Sequence, residues 1–300
     1  MPDGLFSLKT LSDFGWGVEV FVAVFLTLIA RFFAMRILRL IERRAEKTSN
    51  IWDDAILEAA RSPLSWFILI MGLLWAVEIS EAYVSSELFS VSNLELARKL
   101  ARHGYVVFNV SYRFAPQYTF PAQVRDVQQA VRWLRRHADT FDLNIDQVAA
   151  YGYSSGAHLA AMVGLLSPGD GLFEPGTRLQ ALVLGGAPMD LRDYASGSLV
   201  PDFLGTDDAG DPLYVQASPV TLISDDDPPS FLYHGGLDYL VRPRYAKAAF
   251  EAMRQADINA ELYIHHLREH VTMFAFGGGA EDAAIRFLDR HLTTTDPDQT

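Results

Sequence analysis

The pentapeptide Gly152-Tyr153-Ser154-Ser155-Gly156 constrains the fold more than any other feature of this chain. It follows Gln147 to Tyr151, which reads as a strand, and precedes Ser155 to Leu166, which reads as a helix. A strand that turns this sharply into a helix needs small flanking residues, because the two elements pass closely and the strained turn lifts the serine hydroxyl above the sheet. The context singles out Ser154, whereas Ser155 falls inside the helix start and is better placed to donate a backbone N–H to an oxyanion. Further strands are predicted at Tyr105 to Val110, Gln180 to Leu184, Ser230 to Tyr233 and Glu261 to Ile264. Helices are predicted at Ser92 to His103, from Pro121 onward, at Arg244 to Ala256 and at Asp282 to Leu292. Ser92 and Glu95 form a capping box for the first of these, and Val124, Val127, Val131 and Leu134 recur at helical spacing in the second. Strands alternating with helices predict an α/β fold with a mainly parallel sheet covered on both faces.

A serine on such a turn becomes a nucleophile only with a base to take its proton and an acid to orient that base. His234-Gly235-Gly236-Leu237-Asp238 follows a strand and ends in a carboxylate, which makes Asp238 the expected acid. Asp190, after the preceding strand, is the alternative, and a turn or helix cap is its simpler role. The base is expected on a loop after the last strand, where His270 lies. His265 and His266 lie at the end of that strand, one facing the core and the other solvent, and His103, His137, His158 and His291 fall on helices as packing or surface residues. Ser154, Asp238 and His270 therefore form the expected triad, in the chain order serine, aspartate, histidine.

Composition removes several other chemistries. The chain has 300 residues, no cysteine and a formal net charge of -12. Without cysteine there is no disulfide framework, thiolate nucleophile or Cys-ligated zinc. Without a dense Lys/Arg stripe in the predicted catalytic part, nucleic acid is not expected as a partner. Neither a cofactor nor a metal is called for.

The first 80 residues have a different character. Trp16 to Met35 is apolar apart from Glu19, Thr27 and Arg31, and a second apolar run extends from Leu64 to Val77. Arg36, Arg39, Arg43, Arg44, Lys47 and Arg61 lie between them, the densest basic segment of the chain. The apolar lengths predict a membrane hairpin through residues 16–38 and 63–78, and the positive-inside rule places its connecting loop in the cytoplasm. Two spans put the remainder of the chain on the non-cytoplasmic side of an inner or cytoplasmic membrane. Arg31 then has to snorkel or find a partner such as Glu19. The alternative is a pair of buried or amphipathic helices in a cytoplasmic protein. The predicted organisation is residues 1–88 as a helical, membrane-associated segment, 89–293 as the α/β domain and 294–300 as a flexible tail.

Two resemblances add to this reading. Ala30 to Glu78, with Asn50-Ile51-Trp52-Asp53-Asp54-Ala55-Ile56-Leu57 and Arg61-Ser62-Pro63-Leu64, resembles the membrane entry region of small-conductance mechanosensitive channels. The pore-lining helix and β-rich domain of that family do not follow, so channel function is not carried over. Residues 92–292 resemble α/β-hydrolases of the hormone-sensitive-lipase-like and feruloyl-esterase-like branch. The resemblance rests on Tyr112-Arg113-Phe114-Ala115-Pro116, Phe120-Pro121-Ala122, Trp133-Leu134-Arg135, the Ser154 turn with His158-Leu159-Ala160-Ala161, Asp202-Phe203-Leu204-Gly205, Ala217-Ser218-Pro219 and Pro228 to Gly235. It implies a serine hydrolase acting on a small-molecule carboxylic ester through an acyl-enzyme. The chain departs from that branch by lacking the HGGG-type loop that completes the oxyanion hole, and by lacking the strand that carries it. Tyr83 to Phe89 is a poor replacement for that strand; otherwise Tyr105 to Val110 shifts to pair with the Gln147 strand, or an open edge remains. The competing reading is a non-catalytic membrane protein carrying a degenerate hydrolase domain.

Overall fold

The computed structural model describes residues 15–45, 63–72 and 92–292, and the chain divides into two units, Met1–Ser90 and Val91–Thr300. The replacement strand at Tyr83 to Phe89, the end of the second apolar run beyond residue 72 and the tail at 294–300 lie outside the described residues.

In the first unit, helix α1 (Gly15–Ala45) runs through the first apolar stretch and on into the arginines that follow it. Its stretch Phe21–Ile41 is 21 residues long with a mean hydropathy of 2.1. Phe21, Phe25, Phe32, Phe33 and Ile37 are all exposed, so the apolar side chains are not spent on a protein core. Helix α2 (Pro63–Gly72) lies antiparallel to α1, as contacts near its two ends show. Ser65 near its start accepts a hydrogen bond from Arg31 Nε at 2.9 Å, and Gly72 at its end lies so close to Thr27 that a Cβ would come within 2.0 Å of the threonine Oγ1. Arg31 thus has a polar partner in Ser65, while the Glu19 side chain lies outside the described residues. Small residues at a helix crossing let backbones approach, a packing device common between helices in lipid.

The second unit carries a four-stranded parallel sheet in the order β1-β2-β3-β4, formed by β1 (Ala149–Tyr153), β2 (Ala181–Gly185), β3 (Ser230–Gly235) and β4 (Ala260–His265). Helix α3 (residues 92–102) stops at Gly104, whose φ of 89° is the left-handed cap conformation that glycine takes without strain. Then come α4 (Ala122–Arg136), α5 (Ala138–Phe141), α6 (Ser155–Gly164), α7 (Leu199–Leu204), α8 (Leu213–Gln216), α9 (Pro243–Gln255), α10 (His270–Ala275) and α11 (Gly278–Leu292). The two faces of the sheet bury separate clusters. Leu182, Leu184 and Leu232 pack with α6 and α9 on one face, and Val183, Phe231 and Tyr233 pack with α11 on the other. Full burial of each such aliphatic side chain contributes about 1.5–3 kcal/mol.

One predicted strand is not formed. Residues 105–110 follow α3 without pairing to β1, and Val106 is 53% and Val110 39% exposed. The β-branched run has strand propensity, but a strand exists only where a neighbour offers a ladder. Tyr105 is held by side-chain contact instead, its hydroxyl donating to Asp289 Oδ1 at 2.7 Å. Among the described residues β2 is the only strand paired with β1, so the β1 edge is open.

Candidate active site

Ser154 occupies the turn between β1 and α6 with φ 53° and ψ -121°, a region that side-chain-bearing residues rarely adopt. Its backbone N–H donates to Gly185 O at 2.8 Å, so β2 holds the turn in place. Gly152 is required by close approach, since a Cβ there would lie 2.4 Å from the Gly156 backbone. Gly156 is not, because a Cβ there meets nothing within 4 Å. The requirement for small flanking residues therefore holds on the strand side only.

The structure brings Ser154, His270 and Asp238 together. His270 Nε2 lies 2.9 Å from Ser154 Oγ, and His270 Nδ1 lies 2.6 Å from Asp238 Oδ2. An ionised Asp238 can only accept, so Nδ1 carries the proton and Nε2 is left as an acceptor for the serine hydroxyl. Asp238 follows β3, and its Oδ1 accepts from the backbone N–H of Leu240 at 3.0 Å and Val241 at 2.8 Å. Burial favours the neutral carboxyl, but hydrogen bonds from His234 and His270 and the Val241 N–H outweigh it and hold Asp238 well below the usual carboxylate range.

His270 is not on a loop as expected but is the first residue of α10. Glu269 caps that helix, accepting from Val271 N at 3.0 Å and Thr272 N at 2.6 Å. Thr272 Oγ1 in turn accepts from Glu269 N at 3.2 Å. This reciprocal box is visible in the sequence as Glu269-x-x-Thr272, the reverse of the usual residue order. Tyr153 adds a second clamp, its hydroxyl donating to His270 O at 2.7 Å.

The other candidates lie apart from this chain of hydrogen bonds. Asp190 caps a turn, accepting from Arg192 N at 3.1 Å and pairing with its guanidinium at 2.7 Å. His158 is buried against Ala217 O at 2.7 Å. Burial pushes its pKa down to about 4, against the pull of that carbonyl. His266 is exposed and His265 half-buried at the end of β4. Ser155 opens α6, so its N–H has no carbonyl one turn earlier to bond.

One residue of the site escapes sequence reasoning. His234 is fully buried on β3, and its Nε2 lies 2.7 Å from Val241 O and 3.2 Å from Asp238 Oδ2. Both partners accept, so Nε2 bears a proton, and Nδ1 is buried without a partner. The signal was the four-residue spacing in His234-Gly-Gly-Leu-Asp238.

Residues 58–253 match the BD-FAE family. The chain belongs to that family. The match contains Ser154, His234 and Asp238 and ends before His270. Among relatives, a probable carboxylic ester hydrolase, LipM, of Mycobacterium tuberculosis is 32% identical over 181 residues, covering 56% of this chain and 42% of that protein. Esterase LipQ of the same organism is 29% identical over 175 residues, covering 54% and 41%. The chain thus spans less than half the length of these relatives. A truncated carbohydrate esterase from gut microbiota superposes with a TM-score of 0.54 at 22% identity, over 61% of this chain and 73% of that one. A bifunctional GH43-CE protein of Bacteroides eggerthii gives 0.53 at 24% identity, over 61% and 27%. These structures share the α/β-hydrolase fold with the BD-FAE unit of this chain.

Proposed function

We propose that this chain is a carboxylesterase-type serine hydrolase that acts through an acyl-enzyme, with Ser154 as nucleophile, His270 as base and Asp238 as its orienting acid. The supporting observation is the continuous chain from Ser154 Oγ to His270 Nε2 at 2.9 Å and from His270 Nδ1 to Asp238 Oδ2 at 2.6 Å. Ser154 Oγ attacks the ester carbonyl carbon while His270 Nε2 takes its proton. The Ser155 N–H, at the positive end of α6, stabilises the oxyanion. His270 then protonates the departing alkoxide, and water, deprotonated by the same imidazole, releases the acid. The ester hydrolases among the curated relatives agree with this substrate class.

The first unit would anchor the chain in a membrane. The 21 apolar residues of Phe21–Ile41 match the thickness of a bilayer core. The antiparallel α2 supports a hairpin through residues 16–38 and 63–78, and the basic residues between its arms favour a return of the hydrolase domain, residues 89–293, to the non-cytoplasmic side.

Ser154→Ala is expected to abolish hydrolysis of a short p-nitrophenyl ester and labelling by a fluorophosphonate probe, with the circular dichroism spectrum unchanged. Wild-type turnover in that variant would remove Ser154 from the chemistry. A wild-type chain that takes up no probe would favour the non-catalytic reading.

A further inference from the structure

The HGGG-type loop that normally completes an oxyanion hole has no counterpart in this sequence, which leaves the Ser155 N–H as the sole backbone donor so far assigned. Among the described residues, the Tyr112 hydroxyl is in hydrogen-bond contact with the side chain of the same serine. Tyr112 OH lies 3.0 Å from Ser155 Oγ. In a serine, Oγ is only three bonds from the amide nitrogen, so the contact brings the Tyr112 hydroxyl into the neighbourhood of the Ser155 N–H. The tyrosine is not a loose surface residue. Its ring is half-buried against the core beside α6 and packs at a tilt against Phe114, with the ring centroids 5.5 Å apart. The backbone next to it is fixed by Asp126, which accepts from Arg113 N at 2.9 Å and from Arg113 Nη2 at 2.8 Å.

We propose that the Tyr112 hydroxyl is the second oxyanion donor of this site, standing where the glycine-rich loop would otherwise place an N–H. The inference rests on the serine-hydrolase reading and names a further catalytic residue for it. As Ser154 Oγ bonds to the carbonyl carbon, the π pair of the C=O moves onto its oxygen, and the serine proton goes to His270 Nε2. The Tyr112 hydroxyl, paired in the resting site with Ser155 Oγ, turns its proton to that oxygen and keeps it throughout. On collapse the electron pair re-forms the C=O, and the alkoxide leaves with the proton from His270. A neutral hydrogen bond is thereby exchanged for a charge-assisted one only while the oxyanion exists, and so the gain appears in kcat rather than in substrate binding.

Tyr112→Phe keeps the ring and its packing and removes only the donor. Loss of one oxyanion donor costs about a hundredfold to a thousandfold in kcat, and the KM for a short p-nitrophenyl ester is expected to stay within about threefold. Affinity for a trifluoromethyl ketone, which forms an oxyanion on Ser154, is expected to fall by the same factor as kcat/KM. Ser155→Ala serves as the control for a merely structural tether, since it removes the hydroxyl that Tyr112 touches and keeps the N–H. A loss in Tyr112→Phe at least tenfold larger than in Ser155→Ala supports the donor role. Equal losses with no further loss in the double variant overturn it, as does an active wild type whose Tyr112→Phe variant keeps its turnover. A wild type that neither hydrolyses the ester nor takes up a fluorophosphonate overturns the hydrolase reading, and the donor role with it.

Discussion

Asp238 is shared by two imidazoles, His270 at 2.6 Å and His234 at 3.2 Å, and this arrangement separates its behaviour from that of any other carboxylate in the domain. Asp190, by contrast, is spent on Arg192. Asp238→Asn is expected to lower kcat on an ester by about a thousandfold or more, because the wrong His270 tautomer is then favoured. Asp190→Asn is expected to stay within about tenfold, a loss on the order of one hydrogen bond. Equal losses would move the acid to Asp190. The buried His234 gives Asp238 a second hydrogen bond from its Nε2. In His234→Phe the carboxylate that orients His270 has one donor fewer, and kcat/KM on the ester is expected to fall by up to about tenfold, the scale of a single hydrogen bond. Unchanged turnover would reduce His234 to a packing residue.

At the scale of elements, the β1–α6 turn carries the strain of the site, and its two glycines are not equivalent. Gly152→Ala forces a Cβ to within 2.4 Å of the Gly156 backbone. It is expected to destabilise the domain by about 1–3 kcal/mol or more, as overpacked core positions do. Gly156→Ala enters open space on α6 and is expected to be neutral or to stabilise by up to about 1 kcal/mol through helix propensity. Urea unfolding midpoints of the two variants check the contrast, and equal midpoints would contradict the packing argument. The open edge of β1 belongs to this scale too: residues 105–110 have strand-forming side chains and no ladder.

For the whole molecule, buried titratable groups make stability depend on pH. Asp227 is buried with Oδ1 unpartnered, and burial pushes its pKa up to about 7, against the Ser224 N–H and Arg178. Its unfolded pKa is about 4. Between those values the folded state binds more protons, so the stability this group contributes is full below about pH 4 and is lost as pH rises through 7. Asp227→Asn removes that loss. Its thermal midpoint is expected to gain on wild type between pH 5 and pH 8, by roughly 2–4 °C per kcal/mol in a domain of this size. A difference that does not change with pH would show that Asp227 ionises freely in the fold. His158 acts in the opposite sense: with a folded pKa of about 4, it withdraws stability as pH falls from 6.5 toward 4. The proposed anchor is tested by alkaline carbonate extraction of membranes, where the full chain is expected in the pellet. Protease access to the carboxyl terminus in sealed vesicles of known orientation then reads the topology, and a cut from the cytoplasmic face alone would place the hydrolase domain there.

Much of this was legible in the chain itself because its signals are local. The boundaries of β2, β3, α6 and α9 fell within two residues of their hydrophobic periodicity, and the strand–turn–helix context picked out Ser154 before any contact was known. The chain order of serine, aspartate and histidine depends on sequence alone. The remainder depended on groups far apart in the chain meeting in space. Only the folded sheet could bring His270 to Ser154 across 116 positions, set His234 behind Asp238, or put Tyr112 against Ser155. Residues 105–110 show the reverse dependence: propensity favoured a strand, and the absence of a pairing partner among the described residues left it unmade. Pairing is a property of two segments, and a single segment's composition cannot supply the second.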